Sequence, residues 1–597
     1  MKTFFASLGG AVIGSIVGLF LLFFVGMAMI QFAINDAISS AGPETGQDDG
    51  NPIILTLDLR EGFADQAAST GPEVFFGEGV GFIDVIAKLD AAASDDQVKG
   101  LFLRGSEFGI GSSRSEEFRD AFLNFKASDK FIIAHSQGNY GGGPSTYRAL
   151  ASADEIWVQP GTDLIASGLA LETLFLKGLF DNLSVTPEFE AFYEYKNATN
   201  TYKEETYTEP HRLAMTELAE SLWEISLRDI ATDRGMSVAE VRAALESSPM
   251  SAERMVDMNL ATSLGWPEDA LDAALARAGD DAIAISVSSY TEPTSPFGSP
   301  VIAVVGGQGP IVTGDAGGSF LQEGNGFASD TIAEAILAAG RDDDVEAIVF
   351  RVDSPGGSPS ASDQIWRAIE RIQEEEQKPV IVSMASVAAS GGYYVSTGAD
   401  WIIANRTTIT GSIGIFGGKF AIEEGLARIG VNAETIKVGG SFTGAFSTME
   451  GFTDEQRTMV RSWLQRGYDR FTSLVAEGRG LSLEQVDAVA RGRVWSGEDA
   501  LANGLVDELG GLTTAIAKAK EMAEIEADTQ VRIVSYPMSM GGLPFFSSSA
   551  GATAQELKAL GQLADAINDP AIQALITEAE SARNSRVQAR MPSFIER

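Results

Sequence analysis

The chain contains two copies of one unit. Four segments of its first half match four segments of its second half in the same order, at a nearly constant separation of 245 to 248 residues. Two of these matches pair VKGLFLRG at 98–105 with VEAIVFRV at 345–352, and ALASADEIWV at 149–158 with VSTGADWIIA at 395–404. Similarity in one order at one spacing indicates an internal duplication. The chain therefore has to fold as two related units in tandem.

Each copy alternates short β-branched segments with helical patterns. In the second copy, VIAVVG and AIVFRVD are typical of buried strands, and TIAEAILAAGRD has the periodicity of a helix. This alternation predicts an α/β architecture with mainly parallel strands. The Pro- and Ser-rich segment TEPTSPFGSP at 291–300 is the natural boundary between the copies. We therefore expect the first repeat over 48–290 and the second over 298–535.

The two ends of the chain differ from the repeats. No residue from Phe4 to Ile34 is charged. This run exceeds the apolar core of a signal peptide, about 7–15 residues, and suffices for a membrane helix, which needs about 20. Lys2, ahead of it, favours an N-terminus in the cytoplasm and a body outside it. We expect 1–40 to form an N-terminal transmembrane anchor, and 536–597 to form a linker and tail without an assigned role.

The composition excludes two classes of function. The formal charge is −40 at pH 7, whereas nucleic-acid binding requires a basic footprint. Cysteine is absent, which excludes disulfides and thiol chemistry. We therefore expect no nucleic-acid partner and no cysteine nucleophile.

Ser390 is the candidate nucleophile, and the chain offers it no obvious histidine. It lies in the segment AASGGYYVSTGAD at 388–400. A serine hydroxyl is a poor nucleophile until a neighbouring group accepts its proton. The two histidines of the chain, His135 and His211, both lie far upstream. Another side chain has to act as the base.

Two pairs of glycines accompany this serine. DSPGG at 353–357 directly follows a predicted strand, and Gly391 and Gly392 follow Ser390. Glycine lets the backbone approach a ligand closely and present its N–H groups. Such donors stabilise the oxyanion of a tetrahedral intermediate. We expect the amides of Gly357 and Gly391 to form this oxyanion hole.

Several motifs in one order resemble the signal peptide peptidase A family, which is peptidase family S49. The resembling segments are RVDSPGG at 351–357, ASGGYY at 389–394, TITGSIGIFG at 408–417 and GRVWSGEDALANGLVDELGG at 492–511. The resemblance spans roughly residues 50–535 and is to the long, duplicated, membrane-anchored form. It implies two tandem ClpP/crotonase-like repeats preceded by one N-terminal transmembrane helix.

The resemblance implies a Ser-Lys dyad, in which the lysine has two known arrangements. In the short, single-repeat form the lysine lies in the same repeat as the serine, and the matching position here is Phe442. In the long form the base comes from a YK motif of the first repeat, which matches Lys196 in YEYKNATN. By the same resemblance Ser412 orients the amine of Lys196. The implied catalytic residues are therefore Ser390 and Lys196.

The surroundings of Lys196 agree with this role. A lysine acts as a base only when its pKa is lowered, usually by burial in an apolar site. Lys196 follows three aromatic residues, Phe192, Tyr193 and Tyr195, which can exclude water from its amine. Lys203 and Lys437 remain the alternative bases. The sequence also leaves open whether the lysine reaches the serine of its own chain or of a neighbour.

The first repeat lacks the residues that the second retains. In the repeat alignment Pro144 stands opposite Ser390, although a shift of one residue would place Ser145 there. RGSEFG at 104–109 replaces RVDSPGG. The first copy has thus lost the nucleophile and the glycine pair, and it contributes the lysine to the site of the other copy.

The resemblance implies a serine endopeptidase that degrades hydrophobic peptides such as cleaved signal peptides, without a metal or cofactor. The implied partners are these peptides, the membrane and further copies of the chain, in a homo-oligomer that is tetrameric in the long form. The implied location is the bacterial inner membrane, crossed once, with the catalytic body on the periplasmic side. Two other classes stay open: a non-catalytic membrane scaffold that binds peptides, and a crotonase-type acyl-CoA enzyme without a serine nucleophile.

Overall fold

The computed structural model describes both repeats. The described residues are 50–63, 65, 81–141, 143–292, 298–315 and 327–536. The expected anchor at 1–40 and the tail after residue 536 lie outside them. Among the described helices, none combines the length and the apolar character that a membrane crossing requires. The transmembrane anchor therefore stays a prediction.

A parallel sheet forms the centre of the first repeat. The strands of this repeat are β1 (Ile53–Asp58), β2 (Val98–Arg104), β3 (Phe131–Ser136), β4 (Glu155–Val158), β5 (Asp163–Leu164), β6 (Thr186–Phe192), β7 (Met250–Ser251), β8 (Ser263–Leu264) and β9 (Ile283–Ser286). The sheet has the order β8-β4-β3-β2-β1-β9, and all its neighbours run parallel. The short strands β5 and β7 pair antiparallel beside it.

The second repeat has the same sheet topology. Its strands are β10 (Val301–Gln308), β11 (Val345–Ser354), β12 (Val380–Ala389), β13 (Trp401–Ala404), β14 (Ile409–Gly411), β15 (Ile415–Ala421), β16 (Val494–Ser496), β17 (Glu508–Leu509) and β18 (Arg532–Tyr536). The order β17-β13-β12-β11-β10-β18 is again parallel. β14 pairs with the end of β12 and, antiparallel, with β16. The duplicated α/β architecture expected from the sequence is confirmed.

Helices cover the sheets. Those of the first repeat are α1 (Phe82–Ala93), α2 (Ser112–Ala127), α3 (Ser145–Ala151), α4 (Lys177–Leu183), α5 (Asn200–Lys203), α6 (Glu209–Arg234), α7 (Val238–Glu246), α8 (Ala252–Asp257) and α9 (Pro267–Ala278). Those of the second are α10 (Ser329–Arg341), α11 (Pro359–Glu376), α12 (Gly391–Ser396), α13 (Glu423–Arg428), α14 (Asp454–Arg479), α15 (Leu483–Val489), α16 (Gly497–Ala502) and α17 (Leu512–Met522).

Both faces of the second sheet are buried. Along β10, Ala303 and Val305 pack in one apolar cluster with α10 and α11, whereas Ile302 and Val304 pack on the other face with α17. Residues alternate between the two faces of a strand, so a strand covered on both faces needs a continuous apolar run. This explains why VIAVVG contains no polar side chain. Ile83 of α1 joins the α17 cluster, so the first repeat contributes to the core of the second.

One strand pair joins the two repeats. β6 of the first repeat pairs antiparallel with β15 of the second, from Ile415 opposite Phe192 to Ala421 opposite Thr186. The residues that follow β6 are thereby carried onto the second repeat. This pairing brings Lys196, four residues after the end of β6, close to the sheet that holds Ser390.

A buried ionic cluster also joins the repeats. Arg351 on β11 is almost completely buried, and its guanidinium lies 2.7 Å from a carboxylate oxygen of Glu117 and 3.2 Å from one of Asp65. Glu117 accepts further hydrogen bonds from Asn405 and from the amide of Leu512. Two carboxylates of the first repeat thus neutralise an arginine of the second. Removing one partner of a buried ion pair leaves an uncompensated charge.

We predict that Glu117→Ala lowers the free energy of unfolding by about 3–5 kcal/mol, because Arg351 would keep its charge in a buried site. Denaturant unfolding of the detergent-solubilised protein measures this value. The matched control is Glu375→Ala, which breaks an exposed i, i+4 pair with Arg371 and should leave the free energy of unfolding nearly unchanged, because solvent screens exposed ion pairs. Equal losses in the two variants would contradict the importance of the cluster.

Candidate active site

Ser390 lies at a sharp turn between a strand and a helix. It follows β12 directly and precedes α12, with φ 54° and ψ −115°. Few residues other than glycine adopt such a positive φ, and the surrounding structure has to hold them there. The amide of Ser390 donates to the carbonyl of Gly411, and its carbonyl accepts from Tyr394, each at 2.9 Å. At this turn Ser390 is half-buried at the end of the sheet.

The two expected oxyanion donors lie beside this serine. A Cβ added to Gly391 would lie 3.0 Å from the amide nitrogen of Gly357, and one added to Gly357 would lie 2.0 Å from the carbonyl oxygen of Ile311. Only glycine permits this close approach of the two backbone segments. Within the described part of the chain, neither amide donates a hydrogen bond. Both N–H groups are therefore free to bind a substrate oxygen.

Lys196 of the first repeat contacts this serine of the second. Its side chain is 5% exposed. Its Nζ lies 3.0 Å from Ser390 Oγ, and 2.9 Å from both the carbonyl oxygen and the Oγ of Ser412. The structure therefore brings together in one chain all five residues that the sequence singled out: Ser390, Lys196, Gly357, Gly391 and Ser412.

Burial makes the protonated amine of Lys196 lose its proton more easily than that of an ordinary lysine. It lowers the pKa of Lys196 from 10.5 to about 7, because the charged form loses its hydration. No carboxylate among the described residues forms an ion pair with this amine to offset that loss. A substantial fraction of Lys196 is therefore neutral at physiological pH, and only a neutral amine can accept a proton.

The hydrogen bonds of Lys196 suit a neutral amine. Such an amine has two N–H donors and one lone pair. With two donors on the carbonyl oxygen and the Oγ of Ser412, the third position of the nitrogen faces Ser390 Oγ. In the ammonium this position is an N–H donor, and in the neutral amine it is the lone pair. Ser412 has φ 49°, and its own amide donates to the carbonyl of Arg493 at 2.7 Å. This contact fixes the loop from which Ser412 holds the amine.

The model of peptidase family S49 matches the chain twice, over residues 125–279 and 372–526. The two matches include Lys196 and Ser390 respectively, and together they cover more than half of the chain. The chain belongs to peptidase family S49.

Individual relatives of this S49 peptidase match most of its length. "Serine protease SPPA, chloroplastic" of Arabidopsis thaliana is 27% identical over 507 residues, which cover 84% of this chain and 73% of that protein. "Protease 4" of Haemophilus influenzae is 32% identical over 479 residues, or 75% of this chain and 74% of that protein. "Protease 4" of Salmonella typhi is 33% identical over 457 residues, or 74% and 72%.

Two glycines of this S49 peptidase lie against Lys196, a role that their sequence motifs do not predict. A Cβ on Gly492, which has φ 86°, would lie 2.5 Å from the backbone nitrogen of Lys196 and 2.6 Å from its Cα and Cβ. A Cβ on Gly414 would lie 3.1 Å from Cδ of the same lysine. Both glycines occur in motifs of the family resemblance, TITGSIGIFG and GRVW. Their contact with Lys196 depends on the packing of one repeat on the other.

The alternative bases lie in other interactions. Lys203 donates to the carbonyl of Phe189, and Lys437 forms a 2.6 Å ion pair with Glu450. Phe442, at the position of the lysine in the short form, is 38% exposed and packs against the ring of Phe446. Of these residues, none shares a hydrogen bond with Ser390 in the described structure.

The two histidines also have other partners. His135 is buried in β3, where its Nε2 lies 3.2 Å from the carbonyl oxygen of Gly265. His211 lies in the first turn of α6, where its amide donates to the Thr208 side chain that begins the helix. Neither is hydrogen-bonded to the nucleophile. The inference that Ser390 needs a base other than histidine agrees with their positions.

The structure shows which residue of the first repeat occupies the position of Ser390. Tyr147 donates to the carbonyl of Leu260, and Tyr393 donates to that of Leu505 in the equivalent place. This shared contact sets the register between α3 and α12, so the residue before α3, Pro144, stands where Ser390 stands. The alternative alignment with Ser145 is wrong. Proline has no hydroxyl, and the first repeat therefore has no nucleophile at this position.

We predict that Gly492→Ala lowers the rate of peptide hydrolysis at least tenfold, because the added methyl group would displace the Lys196 backbone. The matched control is Gly480→Ala at the end of α14, where φ is 62° and no atom lies within 4 Å of the added Cβ. Both variants place alanine at a positive φ, but only the first crowds the lysine. Equal activities would contradict the role of Gly492.

Proposed function

We propose that this serine peptidase of family S49 cleaves peptide bonds with a Ser390–Lys196 dyad that is divided between its two repeats. The single observation that supports the proposal most is the 3.0 Å contact between Lys196 Nζ and Ser390 Oγ, made by an amine whose pKa is lowered to about 7 by burial. A general base has to lie within hydrogen-bonding distance of the proton that it removes and be neutral at the working pH.

In the first half of the reaction, the neutral amine of Lys196 accepts the hydroxyl proton of Ser390, whose Oγ forms a bond to the substrate carbonyl carbon. The carbonyl oxygen becomes an oxyanion, which the amides of Gly357 and Gly391 stabilise by hydrogen bonds. Lys196, now an ammonium, donates its proton to the leaving amine. The C–N bond breaks, and an ester between the substrate acyl group and Ser390 remains.

In the second half, Lys196 is neutral again and accepts a proton from a water molecule, whose oxygen attacks the ester carbonyl. The same two amides stabilise the second oxyanion. The proton then returns from Lys196 to Ser390 Oγ as the acyl–oxygen bond breaks. Throughout the reaction, the amine of Lys196 donates to the carbonyl oxygen and the Oγ of Ser412. These two hydrogen bonds orient the nitrogen so that its third position faces Ser390.

We propose hydrophobic peptides, such as cleaved signal peptides, as the substrates. The support is the resemblance to the signal peptide peptidase A family and the uncharged run from Phe4 to Ile34, which would hold the catalytic body next to a membrane. By the same resemblance we propose a single-pass protein of the bacterial inner membrane, with its body on the periplasmic side. A homo-oligomer, tetrameric in the long form of the family, completes this proposal.

Ser390→Ala and Lys196→Ala should each lower the hydrolysis of a fluorogenic hydrophobic peptide several-hundredfold or more, since removal of a nucleophile or base has effects of this size. Lys203→Ala is the matched control and should retain activity, because Lys203 binds the Phe189 carbonyl instead. Activity that survives in Lys196→Ala would rule out the dyad. Activity in neither the wild type nor any variant would favour the peptide-binding scaffold.

The pH dependence of kcat/KM should show the pKa of Lys196. Because the base must be neutral, the rate is expected to fall as pH falls through about 7, with a tenfold loss per further pH unit below it, and to be level above. An ordinary lysine would place this limb near its pKa of 10.5. A profile that still rises steeply above pH 9 would show that Lys196 is not desolvated in the working enzyme.

A further inference from the structure

The strand that carries the nucleophile is interrupted shortly before Ser390. β11 and β12 pair regularly up to Val352 opposite Met384, and the next pair is Ser354 opposite Ala388. One residue of β11 thus lies opposite a longer stretch of β12. Such a bulge bends a strand and leaves backbone groups without their ladder partners. At this place the amide of Val387, three residues before Ser390, bonds to a side chain and not to the backbone of β11.

The side chain of Asp353 satisfies this amide. Its Oδ1 accepts a hydrogen bond from the Val387 N–H at 3.0 Å, and its Oδ2 accepts one from the Gln308 side chain at 3.2 Å. The carbonyl of Asp353 accepts from Gly309 at 2.9 Å. Hydrogen bonds from a backbone N–H to a carboxylate are stronger than bonds between neutral groups. One residue therefore links the strand of the nucleophile to the strand that begins the oxyanion loop.

The first repeat serves as an internal comparison. Its counterpart of Asp353 is Ser106, because Arg104 and Arg351 are equivalent in the repeat alignment. The Ser106 hydroxyl accepts a 3.4 Å hydrogen bond from the amide of Phe108, two residues further along its own turn. In the described structure the first repeat therefore lacks the link that Asp353 makes in the second, and its Arg104 side chain hydrogen-bonds Gln137 at the end of β3 instead. The link is present in the repeat that holds Ser390.

We propose that Asp353 is a positioning residue for the reaction, which holds the bulge of β12 so that Ser390 faces both Lys196 and the oxyanion amides. The inference rests on the proposed Ser-Lys mechanism. Asp353 acts through Val387 and does not touch the reacting atoms. Its loss would displace Ser390 relative to the donors of Gly357, and a misplacement of about 1 Å can cost about 100-fold in rate.

The test compares Asp353→Ala with Asp353→Asn in the full-length protein. Asp353→Ala should lower kcat for a fluorogenic peptide about 10- to 100-fold with little change in KM, since binding does not require the aligned hydroxyl. Asp353→Asn should restore most of kcat, because its amide oxygen still accepts from Val387 and the Gln308 amide can turn over to match. A purely structural loss would lower the fraction of folded protein, which also lowers the apparent kcat at unchanged KM, so kcat is expressed per folded molecule. After that normalisation a purely structural loss would leave kcat at the wild-type value.

Two further variants complete the test. Asp353→Ser places the residue of the first repeat in the second, and its hydroxyl is too short to reach Val387. It should therefore show the same loss of kcat as is expected for Asp353→Ala, and it replaces that variant in the test if the alanine protein does not fold. Ser106→Ala is the matched control and should keep the wild-type kcat. A wild-type kcat in folded Asp353→Ala or Asp353→Ser, with Ser390→Ala inactive, would overturn the role of Asp353 and leave the proposed mechanism intact. Activity in Ser390→Ala would overturn the proposed mechanism and this inference together.

Discussion

A lysine that serves as a base has to be buried without a countercharge, and this requirement explains most of the arrangement around Ser390. A carboxylate next to Lys196 would stabilise its charged form and keep the pKa high, whereas burial alone lowers it. The enclosure therefore consists of backbone, hydroxyl groups and glycine surfaces. Ser412 supplies the polar contacts, and Gly414 and Gly492 let the aliphatic stem pack closely. Neither repeat could build this enclosure alone, because the lysine comes from the first and its walls come from the second.

The duplication explains how one site came to use both copies. The two sheets have the same strand order, and Tyr147 and Tyr393 make the same contact in each. The copies differ at two decisive positions: the first has Pro144 where the second has Ser390, and the second has Phe442 at the position that matches the lysine of the short form. The proposed dyad, divided between the repeats, requires that the two repeats stay in register. The β6–β15 pairing and the buried Arg351–Glu117 contact supply that constraint.

The sequence was most informative where function depends on local backbone. Ser390, Gly357 and Gly391 lie at strand ends within short motifs, so neighbouring residues indicate their roles. Lys196 lies 194 positions before Ser390, and the aromatic residues around it indicate only burial. The resemblance to the family was needed to select it over Lys203 and Lys437. The contact of Gly492 with Lys196 depends on tertiary packing, and that of Asp353 with Val387 depends on a strand bulge. Neither can be predicted from sequence periodicity or from the conformational propensities of the residues.

The most direct test of the central claim asks whether one chain supplies both members of the dyad. Lys196→Ala and Ser390→Ala chains with different affinity tags would be co-expressed, and assemblies that carry both tags would be isolated and assayed on a hydrophobic peptide. Wild type co-expressed with Ser390→Ala is the positive control. Because Lys196 contacts Ser390 of its own chain, the account predicts that the mixed assemblies stay as inactive as either variant alone. Recovery of activity would show that the lysine acts on the serine of a neighbouring chain and would contradict the account.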